Sequence, residues 1–382
     1  MILLAGLALV VWLYLLAFRG GFWRLAPDML PASPVSDRHP SVVAVVPARN
    51  EASVIAGTVG SLLGQDYAGP FHLVVVDDGS DDGTADVAAQ AAAEIGRSDA
   101  LTVLRGQPLP PGWTGKLWAM SQGFDRANAN PEPPELILFT DADISYGPGT
   151  LARLVAQHRR RGTVLTSLMV LLRTASLAER LLVPAFVFFF RMLYPFALVR
   201  RPEHRCAAAA GGSMLLTRTA LIEAGGVAAI RNSLIDDCAL GRLMKRVGPV
   251  WLGLTPDVRS VRPYPAFADI RAMVTRSAYA ELRYSPSRLL VALAGLALVF
   301  LVPALAALFS AGWARLLGLA GWAAMTLAFL PMVRFYRTGW WTAPLLPLIA
   351  GAYAFFTFDS ALQHGRGRGG TWKGRVQAET RT

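Results

Sequence analysis

Short apolar runs alternate with polar, helix-prone stretches through the middle of the chain, while long uncharged stretches occupy both ends. Ser41 to Pro47 (SVVAVVP) predicts a first strand, ending in Ala48-Arg49-Asn50-Glu51 and followed by a helix through Leu63. His72 to Val76 predicts a second strand that runs into Asp77-Asp78-Gly79-Ser80, then Asp82-Gly83-Thr84 and an alanine-rich helix. Leu101 to Leu104 is a third short strand, followed by the loop PLPPGWTGK (Pro108 to Lys116). Leu136 to Phe139, bounded by Pro134 before and charge after, predicts a buried central strand. This alternation argues for an α/β fold with a mostly parallel sheet. Past the stretch Thr163 to Val170 the pattern changes. Ala207 to Leu216 (AAAAGGSMLL) reads as small-residue backbone against a ligand or as a tight buried strand. Leu234-Ile235-Asp236-Asp237 opens an amphipathic helix with Leu240, Leu243, Met244 and Val247 on its apolar face.

The ends read differently. Met1 to Phe18 carry no charge and approach the roughly 20 residues needed to cross a bilayer. No basic region precedes this run and no small-x-small site follows it, while Arg19 and Arg24 do, so a retained anchor over residues 1–20 is expected rather than a cleaved signal. Pro31 to Pro40 is a polar, proline-rich linker. Leu181 to Val199 is strongly apolar but interrupted by Pro184, Arg191 and Pro195, which predicts a helix lying in or near the membrane interface. From residue 289 to 360 three more spans are expected: Leu289 to Leu308, Trp313 to Met332 and Thr342 to Phe358, with Trp340 and Trp341 as interface anchors. A basic tail, residues 361–382, carries Arg366, Arg368, Lys373 and Arg375. Three crossings would put that tail opposite the residues 41–260 domain, whereas the positive-inside rule favours both on the cytoplasmic side. One segment is therefore expected to be re-entrant or interfacial, or 181–199 to cross.

Composition supports this division. Of 382 residues, 53% are hydrophobic, too many for one ordinary soluble domain. The formal net charge is +11, yet no basic module interleaved with aromatics is present, so the reading excludes nucleic acid as partner. The charge suits anionic headgroups and a phosphorylated substrate. Cys206 and Cys238 show no metal or redox spacing.

The candidate chemistry lies where the strands end. Asp141 and Asp143, one residue apart after the central strand, stand at the edge where open α/β sheets bind ligands. Two close carboxylates invite a divalent cation, Mg²⁺ or Mn²⁺, shared with substrate phosphates. An Asp-rich turn capping the next helix explains the same residues. Asp77 and Asp78 repeat the placement at the second strand. Lys116 is placed to meet a diphosphate or to be an ordinary first-turn lysine. Asp237 is suited to accept a proton from a hydroxyl, or with Asp236 merely complements a helix dipole.

Together VVPARNE (Val45 to Glu51), VVDDGSDDGT (Val75 to Thr84), GKLWA (Gly115 to Ala119), TDAD ending at Asp143 and IDDCALGRLMKRVG (Ile235 to Gly248) resemble a family-2 inverting glycosyltransferase of GT-A type. LPPGWTGKLWAM, VPAFVFFFRMLYPFA and TWKGR look more closely like the hopene-associated glycosyltransferases of bacterial hopanoid clusters. The resemblance implies that Pro47, Ala48, Arg49 and Glu51, with Asp77 and Asp78, hold the nucleoside of a UDP-sugar. It puts Lys116 near the diphosphate and makes Asp141 and Asp143 the metal pair. It makes Asp237 the general base, with Asp236 beside it. It implies a nucleotide-sugar donor, a lipid hydroxyl acceptor of hopanoid or polyprenoid type, and an inner-membrane, multi-pass protein whose catalytic domain is cytoplasmic and contacts other hopanoid-pathway enzymes. Ceramide, carotenoid or polyprenyl phosphate acceptors remain alternatives, as does an inactive membrane scaffold. Many processive relatives carry Gln-x-x-Arg-Trp, but Arg276 to Tyr284 lacks it; single transfer is therefore expected, with Arg276 or Arg283 candidates to support the leaving group.

Overall fold

The computed structural model describes residues 1–32 and 38–367, with the backbone of 371–372 and 375–376. In chain order the elements are α1 (Ile2–Phe18), β1 (Val42–Ala48), α2 (Ile55–Leu63), β2 (Phe71–Asp77), α3 (Thr84–Glu94), β3 (Leu101–Arg105), α4 (Gly115–Asn128) and β4 (Leu136–Phe139). Then come β5 (Ile144–Tyr146), α5 (Thr150–Arg161), β6 (Leu165–Leu171), α6 (Leu177–Leu193), α7 (Phe196–Val199), β7 (Met214–Thr217), α8 (Arg218–Glu223), α9 (Asp236–Met244) and β8 (Val250–Ser260). The helices α10 (Phe267–Thr275), α11 (Ala278–Glu281), α12 (Pro286–Leu296), α13 (Val302–Phe309), α14 (Gly312–Tyr336) and α15 (Leu346–Gly365) follow. A two-stranded ribbon, β9 (Thr371–Trp372) and β10 (Arg375–Val376), ends the series. The chain divides into a sheet unit, principally Asp28–Leu172 and Leu198–Arg262, and a helical unit of Met1–Pro27, Arg173–Ala197 and Pro263–Gly370.

In the sheet unit eight strands lie in the order β3-β2-β1-β4-β7-β6-β8-β5. Every residue of β1 is buried, as its run of β-branched side chains requires with helices on both faces. Val45 pairs with Val74 on one side and Phe139 on the other, both parallel. Helix α4 crosses close over this centre: a Cβ on Gly123 would fall 2.3 Å from Val45 Cγ1. The four strands β3, β2, β1 and β4 are parallel, as the alternating pattern predicts. The rest of the sheet is mixed, because β7 enters antiparallel to both β4 and β6 and β5 closes the far edge antiparallel to β8. The small residues of 207–216 serve two ends at once. Gly212 lies against Val170 with room for no Cβ (2.8 Å), and Gly241 of α9 packs on the backbone of Ala208 (2.5 Å). Cys238 is a buried core residue.

In the helical unit, four stretches are long and apolar enough to cross a membrane by length and composition: Leu177–Val199, Pro286–Phe309, Gly312–Tyr336 and Trp340–Gly365. Helix α1 lies along α12 to α14. Trp12 donates from Nε1 to Val299 O at 2.8 Å and packs edge-on to Phe300. Val299 belongs to a wider, π-type turn, Ala297–Leu301, between α12 and α13. Gly318 of α14 packs directly on the backbone of Pro303 and Ala307 (2.7 and 2.6 Å from a built Cβ), a close crossing of the small-residue kind. In α6 Pro184 is accommodated inside the helix, which a Ser176–Glu179 capping box opens. Arg191 is wholly buried, donating from Nε to Phe22 O (2.8 Å) and from Nη2 to Arg24 O (2.7 Å) and lying over the Phe196 ring.

The two ends of α15 meet different depths of the bundle. Near its C-terminus, Asp359 pairs with Arg271 (2.9 Å), Ser360 Oγ bonds Thr275 O and Tyr279 N, and His364 stacks on Tyr284. These partners all precede α12. At its start, Pro344 O accepts from Trp322 Nε1 (2.9 Å), midway along α14, and a Cβ on Gly351 would touch Leu301. Of the basic tail, Arg366 is described; Arg368 and the side chains of Lys373 and Arg375 lie outside the described residues, as does 33–37 of the expected linker.

Candidate active site

The C-terminal ends of β2, β1 and β4 are neighbours in the sheet, so the turns that follow them share one edge. The turn after β1 and the turn after β2 are stitched together. Arg49 Nη1 donates to Asp78 O and to Gly79 O (3.1 Å to the latter), and Asn50, in a left-handed conformation (φ 52°), donates from N to Ser80 Oγ (3.0 Å). Glu51 N donates to Thr84 Oγ1 (2.9 Å) and Ala52 N to Asp82 Oδ2 (3.0 Å). Asp77 Oδ1 accepts from Ser80 N (3.1 Å). Pro47, Ala48, Asp77 and Asp78 are buried at this edge. Arg49, expected at a nucleoside, braces the loop with its guanidinium.

After β4, Thr140 anchors to Val45 O through its N–H and to Gly212 O through its hydroxyl. The two acids that follow take separate partners. Lys116 Nζ, in the first turn of α4, lies 2.7 Å from Asp141 Oδ1 and 2.9 Å from Asp236 Oδ2. Asp143 Oδ2 accepts from Arg262 Nε (2.8 Å) and Ser260 Oγ (3.2 Å), and Arg262 Nη2 reaches Glu51 Oε1 at 2.7 Å. Asp237, in the first turn of α9, accepts from Gly211 N (3.1 Å) and Cys238 N (2.6 Å). Gly211 closes the group: a Cβ there would lie 3.5 Å from Lys116 Nζ and 3.6 Å from Asp237 Oδ2.

Asp141, Asp236, Asp237 and Lys116 thus form one cluster, and Asp143, Arg262 and Glu51 a second beside it through the Asp141–Asp143 turn. No bond links Asp77 or Asp78 to Lys116; they line the adjoining edge. Arg262 is the basic residue that the sequence reading missed. It follows β8 in the run Ser260-Val261-Arg262-Pro263, and its charge in a strand-end turn was the only signal. Arg276 and Arg283 fall in the helical unit.

The electrostatics follow from burial against charge. Burial would push the Lys116 ammonium down, but Asp141 and Asp236 outweigh it and hold its pKa well above the ordinary lysine range. Asp141 is raised by burial, with Asp143 and Asp236 adding to the shift and Lys116 opposing it. Asp237 is pushed up to about 6 by burial and by Asp236, against Lys116 and its two backbone donors. A carboxylate so poised accepts a proton near neutral pH.

Among the described residues no three His, Cys, Asp or Glu side chains converge to cage a metal ion. Asp141 and Asp143 nevertheless fit a shared one. Each uses a single oxygen on its basic partner, leaving a second hard oxygen, and Mg²⁺ or Mn²⁺ completes such a pair with substrate phosphates and water.

The chain belongs to glycosyltransferase-like family 2, whose sequence profile matches residues 39–273. A 4,4'-diaponeurosporenoate glycosyltransferase from Staphylococcus aureus is 31% identical over 134 residues, 35% of this chain and 32% of that protein. An N-acetylglucosaminyltransferase from Rhizobium leguminosarum is 31% identical over 141 residues, 37% of this chain and 30% of that one. The chain therefore spans about a third of the length of these curated relatives. A mannosyltransferase structure from Pyrobaculum calidifontis, in complex with GDP-mannose and Mn²⁺, covers 92% of this chain and 99% of its own, at TM-score 0.51 and 20% identity. The fold is GT-A-like.

Proposed function

We propose that the protein is a membrane-bound inverting glycosyltransferase that moves one sugar from a nucleotide-sugar, a UDP-sugar in our reading, to the hydroxyl of a hopanoid or polyprenoid lipid. The observation that carries this is the single cluster in which Asp237 stands beside a lysine held by Asp141 and Asp236. Family membership supports the reaction class. The S. aureus relative, named for diaponeurosporenoate, supports a long apolar acceptor, and the GDP-mannose of the archaeal structure makes guanosine donors the first alternative to test.

In this mechanism Asp77, Asp78 and the braced turn of Pro47 to Glu51 hold the nucleoside, while Lys116 faces the diphosphate. Gly211 N and Cys238 N fix Asp237 so that its carboxylate receives the proton of the acceptor hydroxyl. That oxygen bonds the anomeric carbon from the face opposite the diphosphate as the carbon–oxygen bond to the diphosphate breaks, which inverts the centre. A divalent ion at Asp141 and Asp143 would stabilise the charge on the departing nucleotide. Arg262, whose guanidinium already neutralises Asp143 and Glu51, is the residue we assign to the leaving group's side of the site.

For the membrane we propose that α1, α12–α13 and α14 cross, that α6 lies along the interface, and that α15 re-enters. The contacts of α15 support this. Its C-terminal turns pair with residues that precede α12, while its start meets the middle of α14 and Leu301. At 1.5 Å per residue it descends about halfway and returns to the face it left. The tail and residues 41–260 then share the arginine-rich, cytoplasmic side of an inner membrane, as the positive-inside rule requires.

Release of nucleoside diphosphate from a panel of UDP- and GDP-sugars, in detergent with Mn²⁺ or with chelator, is the test. Wild-type protein is expected to turn over one donor, faster with hopanoid lipid added. Asp237→Asn is expected to lose about 10²- to 10⁴-fold in rate with donor binding retained, and Asp143→Asn to weaken donor binding. A variant pair that releases as much nucleotide as wild type would leave only a binding scaffold.

A further inference from the structure

We propose that a shallow cavity between the loop after α1 and the last turns of α14 binds the phosphate headgroup of an anionic phospholipid, with Arg24 and Arg334 as its ligands. The cavity, about 670 Å³, is lined by residues 23–27 on one side and by Pro331, Arg334 and Phe335 on the other. Its walls are apolar apart from the two guanidinium groups. Both arginines are exposed, and among the described residues neither has a carboxylate within ion-pair distance.

The site is built rather than incidental. Trp23 donates its indole N–H to Leu16 O (3.1 Å), which fixes the ring, and the Arg24 guanidinium lies over it at 4.9 Å. The carbonyls of Phe22 and Arg24 are occupied by buried Arg191, so the loop backbone is held and offers those oxygens to no other cation. Arg334 stands in the last turn of α14, which Arg337 ends in a left-handed conformation. Two positive groups beside an indole, at the ends of two apolar helices, match the level where phosphate headgroups meet hydrocarbon. The phosphodiester supplies the anion that neither arginine finds in the protein, and the apolar walls take the glycerol and first methylenes.

The inference rests on the membrane placement above but not on the transfer reaction, so its test reads lipid binding. Full-length protein is purified in detergent, titrated with phosphatidylglycerol or phosphatidylcholine, and examined by native mass spectrometry. Wild type is expected to retain phosphatidylglycerol preferentially, each arginine contributing about fivefold. R24Q/R334Q is expected to lose that preference, whereas R24K/R334K and the distant R105Q keep it. Equal retention of the two lipids by wild type, or an undiminished preference in R24Q/R334Q, overturns the site. Displacement of phosphatidylglycerol by millimolar inorganic phosphate would also overturn it, marking a soluble anion's site instead. If R24Q/R334Q does not fold, R24Q and R334Q singly decide, each expected to fall by its own factor. Failure of the protein to enter bilayers at all would instead sink the membrane placement.

Discussion

At Asp237 the burial that raises its proton affinity also sets the working pH. Only the ionised carboxylate accepts the acceptor's proton, so the rate should climb with pH through about 6 and level off above it. A pH–rate profile of wild type against Asp237→Asn checks this; the variant should lose that limb. His158 makes the opposite kind of statement. It is buried in α5, its ring bonded to Thr166 and Thr217 (3.0 and 2.9 Å), and burial lowers its pKa to about 4. The folded chain thus binds fewer protons than the unfolded one between pH 6.5 and 4. The stabilisation is complete above 6.5 and is lost as pH falls through 4, about 3 kcal/mol in all. Thermal unfolding at pH 7.5 and pH 5 should show a larger drop for wild type than for His158→Gln. The acids of the site were legible because each ends an apolar run, where a charge must face the sheet edge. Arg262 was not legible, because its partners Asp143 and Glu51 lie 119 and 211 positions earlier and only the folded sheet brings them together.

Strands announce themselves by their own residues, pairing does not. Leu136 to Phe139 needed only its apolar side chains to be read, and β4 has those bounds. The antiparallel setting of β7 depends on what flanks it, β4 and β6, and nothing in Met214–Thr217 records that. Helix α15 shows the same limit. Its length and apolarity read as a crossing, whereas Ser360, His364 and Trp322 tie its two ends to a half-depth path. A reporter fused to the C-terminus should therefore be found on the same side of the membrane as one inserted in the sheet unit. Opposite sides would mean that α15 crosses.

Across the whole molecule, the order of anchor, α/β segment and apolar C-terminal region is plain in the hydropathy. The return of the chain to the helical unit at Arg173–Ala197 is less so. Phe188 and Phe189 of α6 pack on Phe22, Phe329, Phe300 and Tyr353, so residues 41–260 are not a self-sufficient globule. Expressed alone, that fragment should aggregate without detergent, since α6 would expose its aromatic face; size-exclusion chromatography with and without detergent reads the difference. The π-type turn at Ala297–Leu301 carries a history of its own. Such a turn holds one residue more than the α-helical turn it interrupts, and here the carbonyl of Val299 is taken by Trp12. A lineage that gained this residue acquired a partner for an indole N–H in an apolar bundle. A descendant that deleted it would rotate everything beyond by about 100°, turning Pro303 away from Gly318 and Gly321. The insertion and those glycines are thus bound to be inherited together.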